Sequence, residues 1–268
     1  MAVLKHVAWQ VFKLQTFDLP RHLVWRLHLS KTLLSRLNKG ILLPAAVCAC
    51  CVYLSSSTPA VHKSNSLTVL YFNARSIIPK FDALCSEVEI HKPDLICITE
   101  TWLSEEVSDS EIALAGYQLH RLDRNRQGGG ILIYVHTALT TEVIYQGPLN
   151  LEFLAISVQS SVNKFCISLF YRPPSSPRQV IDDLYTSIES LDISRFSNFV
   201  LLGDFNIDFS NPGCVLYPKL SNLLQSFSLS QVVQDVTRYG RNKTATLIDL
   251  CLVSSTDHVT DCSVIPPS

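Results

Sequence analysis

From residue 67 onward, short apolar runs repeatedly end in a polar side chain. The pattern is clear in Leu-Thr-Val-Leu-Tyr-Phe-Asn at 67–73 and Asp-Leu-Ile-Cys-Ile-Thr-Glu at 94–100. Further runs at 131–135, 151–158, 164–171, 199–202 and 246–253 are likewise the length and composition of buried strands. The runs at 151–158 and 164–171 are separated by a polar turn and predict a hairpin. Between the strands, Phe81, Leu84, Cys85 and Val88 fall at helical spacing, as do Ile181, Leu184, Tyr185 and Ile188, and then Leu220, Leu223, Leu224 and Phe227. Pro79 opens the first of these helices and Lys92-Pro93 closes it. Strands alternating with helices predict layered α/β architecture, in which a site forms where strand ends meet. The strand ends here carry Asn73, Glu100, Tyr171, Asp204 with Asn206, and Asp249.

The first 66 residues follow another pattern. Residues 41–61 contain no formal charge, but Pro44 and the Ser-Ser-Ser-Thr-Pro stretch interrupt the apolar run. After Pro20, Leu23, Leu27, Ser30, Leu34 and Leu37 form one face of an amphipathic basic helix. Three readings stay open for this part: a poorly ordered leader, weak membrane association through residues 20–61, or nucleic-acid contact. The chain therefore divides at 1–66 and 67–268, and charge sharpens the division. Residues 1–66 hold eight Lys/Arg and one acid, Asp18, for a net +7, while 67–268 hold 14 Lys/Arg and 22 Asp/Glu, for a net −8. An acidic domain excludes unspecific backbone binding over its whole surface, leaving a local basic patch or a bridging cation. The hydrophobic share of 47% excludes wholesale disorder. Nine cysteines without regular spacing give no disulfide framework. Cys85, Cys97, Cys166 and Cys251 sit among apolar residues as small hydrophobes, and Cys48, Cys50 and Cys51 lack a distal Cys/His pair for zinc. Palmitoylation suits that last cluster better, since it follows basic residues within an apolar run.

Three carboxylates and two carboxamides at buried strand ends cost too much desolvation unless something neutralises them. A hard divalent cation does so with oxygen ligands, and Mg²⁺, with Mn²⁺ as its substitute, suits a site that also receives phosphate. The chemistry this suggests is metal-assisted hydrolysis of a phosphoester: Glu100 and Asn73 on the metal, Asp204 and Asn206 on the attacking water, Tyr171 donating to a phosphate oxygen. Gly128-Gly129-Gly130 precedes a strand and lacks a following Lys-Ser/Thr, so it is not a phosphate loop of the strand–glycines–helix kind. Arg75, Arg121, Arg124, Arg126 and Arg172 are the candidate DNA-contact patch, with Arg75, Arg124 and Arg172 as its centre.

Six ordered stretches, Asn-Ala-Arg-Ser at 73–76, the run 94–103 with Thr-Glu-Thr-Trp, Gly-Gly-Gly-Ile-Leu-Ile-Tyr at 128–134, Tyr-Arg-Pro-Pro at 171–174, Gly-Asp-Phe-Asn at 203–206 and Ile-Asp-Leu at 248–250, resemble the endonuclease/exonuclease/phosphatase superfamily. The resemblance is to the apurinic-like endonuclease domain of non-LTR retrotransposons of the CR1/LINE type, over about residues 67–265. It implies a four-layer α/β sandwich with two facing mixed β-sheets, and a DNA-nicking domain that accompanies a reverse transcriptase in the nucleus or cytoplasm. It also implies metal ligation by Asn73 and Glu100, and catalytic roles for Tyr171, Asp204, Asn206 and Asp249, the last orienting a histidine. Thr237 lies near a supporting polar position.

One departure shapes the functional expectation. Members of the family finish with a return strand and a Ser-Asp-His motif, and the sequence reaches Ser268 with that strand only begun at Val264-Ile265. Thr256-Asp257-His258 follows the strand end at Val253 too closely to fill the role. The expectation is a sandwich missing its last strand, with hydrolysis weak or lost. The competing class is an inert interaction module or a remnant of a mobile element.

Overall fold

The computed structural model describes residues 9–14, 49–54, 67–159, 163–239 and 245–265. The amphipathic pattern at 20–37 and the cysteine side chains at 48, 50 and 51 lie outside what it describes. In chain order, β1 (Trp9–Leu14), β2 (Ala49–Leu54) and β3 (Leu67–Asn73) precede α1 (Phe81–His91) and β4 (Leu95–Thr99). Next come β5 (Tyr117–Leu122), β6 (Ile131–His136), β7 (Thr140–Gln146), β8 (Glu152–Gln159) and β9 (Lys164–Tyr171). After α2 (Gln179–Ser190) and β10 (Asn198–Asp204) come α3 (Tyr217–Ser226), β11 (Ser230–Gln231), β12 (Arg238–Tyr239), β13 (Ala245–Thr246), β14 (Asp249–Val253) and β15 (Asp261–Ile265).

Two mixed sheets face each other. The first runs β1-β15-β2-β3-β4-β6-β5, with β3 and β4 parallel and β6 antiparallel to both β4 and β5. The second runs β11-β14-β10-β9-β8-β7, with only β9 and β10 parallel. Period-two alternation assigns the faces. Val69, Tyr71, Cys97, Ile131 and Ile133 point between the sheets, while Leu70, Phe72, Ile96, Ile98, Leu132 and Tyr134 point outward under α1. On the far side of the second sheet, α2 and α3 bury Ile181, Leu184, Ile188, Leu220 and Leu223. The layers are therefore helix, sheet, sheet, helix, the four-layer sandwich that the sequence implies.

The return strand β15 begins at Asp261, earlier than the expected Val264. Its partners are β1 and β2, and among the described residues no strand between Leu67 and Val253 pairs with it. Within the span 67–268 the first sheet thus lacks its last strand beside β3. The expected membrane association through residues 20–61, and through 41–61 in particular, is corrected here. Ala49–Leu54 in the middle of that run is a strand antiparallel to β3, where pairing satisfies its backbone, and among the described residues no helix is long and apolar enough to cross a membrane.

Candidate active site

The strand register gathers the polar residues at one rim. Across the second sheet, Glu152 is opposite Tyr171, Tyr171 opposite Asp204, and Asp204 opposite Asp249, so four strands end in one polar row. Across the first sheet, Asn73 pairs with Thr99, which places Glu100 one residue beyond the same edge. Gly203 makes the second row possible, because a Cβ there would collide with the carbonyl oxygen of Phe170 on β9. Beyond the strand ends the backbone turns sharply. Of the eight non-glycine residues with positive φ among the described residues, Arg75, Ser76, Glu100, Trp102 and Asn206 lie at this rim. Left-handed backbone at non-glycine residues costs energy and concentrates at functional sites.

The rows are joined by hydrogen bonds that cross from sheet to sheet. Asn73 Nδ2 donates to Asp204 Oδ2 at 2.9 Å and to Glu100 Oε1 at 3.1 Å, and Arg75 N donates to Asn73 Oδ1 at 3.2 Å. Tyr171 OH donates to Glu100 Oε1 at 3.0 Å, and Trp102 Nε1 to Glu100 Oε2 at 3.3 Å. Tyr71, 1% exposed between the sheets, donates to Asp249 Oδ1 at 2.9 Å and lies 3.1 Å from Thr99 Oγ1. Thr237 Oγ1 accepts from the backbone of Ile248 and Asp249, fixing the start of β14. Asn206 N donates to Asp204 Oδ1 at 3.0 Å, and Asn206 Nδ2 to the Arg172 carbonyl at 2.8 Å.

Electrostatics show what this rim lacks. Burial, then the charges of Asp249 and Glu100, hold the Asp204 carboxyl well above the usual carboxylate range. Burial pushes Asp249 up to about 6, with hydrogen bonds from Thr237 and Tyr71 pulling the other way. Burial and then Glu100 and Asp204 raise the Tyr171 phenol, which keeps it a proton donor. Glu100, Asp204 and Asp249 line one cavity of about 70 Å³ together with Asn73, Arg75 and Arg238. Among the described residues no group of three or more His, Cys, Asp or Glu side chains is gathered closely enough to hold a metal by itself. Mg²⁺ does not need such a cage, since one or two carboxylates with water and phosphate oxygens suffice. The donor set fits it: two carboxylates, Glu100 and Asp204, are bridged only by a neutral amide, where a cation would relieve their repulsion.

The rim holds Asn73, Glu100, Tyr171, Asp204 and Asp249 together, with Asn206 beside Asp204. It does not hold His258. That residue lies beyond Val253 at the opposite end of β14, and the residue paired with Asp204 is at the near end. The candidate arginines diverge. Arg75 lines the cavity, but Arg172 is 4% exposed and donates to the carbonyls of Ser176 and Asn206, with its buried Nε unpartnered. Arg121 is taken up by Asp123, Asp109 and the carbonyls of Ser104 and Val107, while Arg126 pairs with Glu106 at 3.5 Å. Arg124 pairs with Glu152 at 2.9 Å. Sequence reasoning passed over Tyr71, Trp102, Glu152 and Arg238. Tyr71 carried a signal, since a phenol on the inner face of an apolar strand needs a buried partner. Glu152 carried one as well: it is the lone charge in an apolar strand.

Residues 70–268 match the sequence family described as the Endonuclease/Exonuclease/phosphatase family. No curated protein matches the sequence. Among solved structures, the fold is similar to the endonuclease domain of TRAS1, a telomere-specific non-LTR retrotransposon, at 15% identity over 74% of this chain and 97% of that one, with a TM-score of 0.54. It is also similar to the 3′ phosphatase NExo from Neisseria bound to a product DNA hairpin, at 16% identity, 75% and 98% coverage and a TM-score of 0.56. An AP endonuclease from Archaeoglobus fulgidus gives 14% identity, 70% and 86% coverage and a TM-score of 0.51. At these identities the likeness is one of fold.

Proposed function

Because the chain belongs to the endonuclease/exonuclease/phosphatase family, we propose that residues 67–268 are a divalent-metal-dependent phosphodiesterase of the DNA endonuclease type, derived from a CR1/LINE-type non-LTR retrotransposon. The six ordered motifs support the retrotransposon part of this reading. The observation that carries the chemistry is the polar row: Asn73, Glu100, Asp204 and Asp249 line one cavity from two sheets, and Tyr171 bonds to Glu100 beside it.

Glu100 and Asn73 are the groups that would hold Mg²⁺, which when bound polarises a phosphoryl oxygen and steadies the leaving group. Asp204, fixed by Asn73 and Asn206, orients the attacking water and takes its proton as the water oxygen bonds to phosphorus and the phosphorus–oxygen bond to the leaving strand end breaks, that oxygen taking a proton from solvent. Its raised pKa suits a base that must hold that proton briefly. Tyr171 keeps its proton and donates it in a hydrogen bond to a phosphate oxygen as charge develops there. Asp249 is poised to orient a histidine, but no histidine lines the cavity among the described residues. General acid/base help is worth about 10²–10⁴-fold, so turnover by these groups alone is slow. The same observation favours a second reading, an inert interaction module or remnant of a mobile element.

A supercoiled-plasmid nicking assay with Mg²⁺ separates the two. The hydrolase reading expects slow nicking, lost in Glu100→Ala, unchanged in His258→Ala, and accelerated when the chain is continued past Ser268 by a family-like strand and Ser-Asp-His. Nicking that survives Glu100→Ala refutes it. Equal background in every variant, with the extended chain shown to fold, establishes the second reading.

A further inference from the structure

The triple glycine before β6 has a structural reason in this fold. A Cβ on Gly128 would lie 2.7 Å from Arg124 Nη2, and one on Gly129 would lie 2.5 Å from the Arg124 Cζ and 2.6 Å from Glu152 Oε1. One on Gly130 would strike Thr101 Oγ1. Gly129 and Gly130 also have φ of +71° and +84°, which side chains disfavour. The three glycines form a cradle around the Arg124–Glu152 pair.

Glu152 is 6% exposed and accepts from Gly130 N and, at 2.9 Å, from Arg124 Nη1. Arg124 Nε donates to the Gly128 carbonyl at 2.9 Å. Two of the guanidinium's five N–H donors are thus committed, and the rest have no partner among the described residues. Held so, the guanidinium carbon lies 5.9 Å from the centre of the Tyr171 ring, whose hydroxyl reaches Glu100. A groove of about 1220 Å³ runs past Arg124, lined by Arg121 and Arg126 but also by the carboxylates of Glu105, Glu106, Asp109 and Asp123.

We propose that Arg124, held beside the Tyr171 ring, forms a phosphate-binding subsite next to the cavity, and that Glu152 is the positioning residue that sets it. The subsite would take a backbone phosphodiester of the bound strand, neighbouring the one to be cut, while the carboxylates of the adjoining groove turn the strand away from it. This rests on the hydrolase reading given above. Glu152 has both oxygens engaged and its charge countered by Arg124, so it orients the fork without repelling phosphate.

The test is binding of a fluorescein-labelled DNA duplex in EDTA, followed by anisotropy over a salt series. Arg124→Ala should weaken binding about tenfold, as expected for one charge-assisted contact. It should also flatten the plot of log affinity against log salt by about 0.9. Glu152→Gln makes the domain less acidic, so charge alone predicts tighter binding; the positioning role predicts weaker binding. Gly129→Ala, with no change in charge, should weaken it likewise. If Glu152→Gln fails to fold, Arg124→Lys decides: it keeps the charge and the cradle, and should hold most of the salt slope while losing affinity. Unchanged affinity and slope in Arg124→Ala, or tighter binding by a folded Glu152→Gln, overturns the inference. If that happens while the wild-type chain still nicks plasmid, the hydrolase reading stands. No binding by the wild-type chain overturns both.

Discussion

Removing one hydroxyl from between the sheets should couple the stability of this domain to pH. In Tyr71→Phe, Asp249 loses a donor at 2.9 Å and Thr99 loses a neighbour at 3.1 Å, and the lost hydroxyl is on a side chain only 1% exposed. A buried hydrogen bond to a charged group is worth about 1.5–3 kcal/mol, and one between neutral groups about 0.5–1.5 kcal/mol. Burial pushes the Asp249 carboxyl up to about 6 in the fold, above the usual carboxylate range. Its ionisation therefore opposes folding: in metal-free protein, the contribution of Asp249 to stability is fully present below pH ~4 and is lost as pH rises through about 6. Because the Tyr71 bond favours the ionised form, its loss raises the Asp249 pKa further and steepens that fall. The substitution should cost about 1.5–3 kcal/mol at pH 8 and roughly 1 kcal/mol less at pH 5, where Asp249 is protonated in both proteins. For a domain of this size the pH 8 cost is a drop in Tm of about 3–12 °C. Urea unfolding of both proteins in EDTA at the two pH values measures the difference directly. Equal costs at pH 5 and pH 8 would refute the reasoning, because they would show that the phenol does not sense the charge on Asp249.

Three further outcomes follow from the packing and the site. Saturating Mg²⁺ at about a hundredfold over its Kd should stabilise the wild-type chain by about 2.7 kcal/mol and leave Glu100→Gln unmoved, measured by differential scanning fluorimetry with and without EDTA. Leu184→Ala, at a fully buried position of α2 against the second sheet, should cost about 2–5 kcal/mol in chemical denaturation without altering the affinity for Mg²⁺. Gly203→Ala should cost at least about 1–3 kcal/mol because β9 and β10 must part to admit the methyl group, and crystallography or amide exchange should place the disturbance at Phe170.

Where the chain alternates cleanly, its sequence locates the elements closely. Leu67–Asn73 and Lys164–Tyr171 are strands over the same residues as their apolar runs, because the first is buried throughout and the second at every residue after Lys164. β5 and β7 were not predicted: they lie at sheet edges, partly exposed, and Tyr-Gln-Leu-His-Arg-Leu and Thr-Thr-Glu-Val-Ile-Tyr-Gln carry no apolar run to mark them. The run at 246–253 divides because Leu247 and Ile248 turn the chain between β13 and β14, with Thr237 binding the turn. Site residues at strand ends were legible because a carboxylate closing an apolar run needs a partner. What a one-dimensional pattern cannot carry is which sheet supplies the partner. Tyr71 meets Asp249 across 178 positions of sequence, and Asn73 meets Asp204 across 131. The arginines show the converse: each is a charge in sequence, but Arg121 and Arg172 spend their donors on nearby carbonyls and carboxylates.

Tyr71 to Asp249, Asn73 to Asp204, Tyr171 to Glu100, and Gly130 with Arg124 to Glu152 all run from the first sheet to the second. The rim is consequently a gauge of the distance between two slabs, since each of these bonds tolerates only a few tenths of an ångström before it is lost. Swelling of the core by loosened side chains would leave strands and helices intact and still open every one of them. Competence for chemistry should thus vanish at a milder dose of urea or heat than secondary structure does, with Trp102 beside Glu100 as a natural fluorescent reporter of the earlier event. At the opposite end of the sandwich, Gln118 and His120 of β5 reach Thr141 of β7 at 2.9 and 3.1 Å, so the edge strands are pinned there while the rim carries the carboxylates.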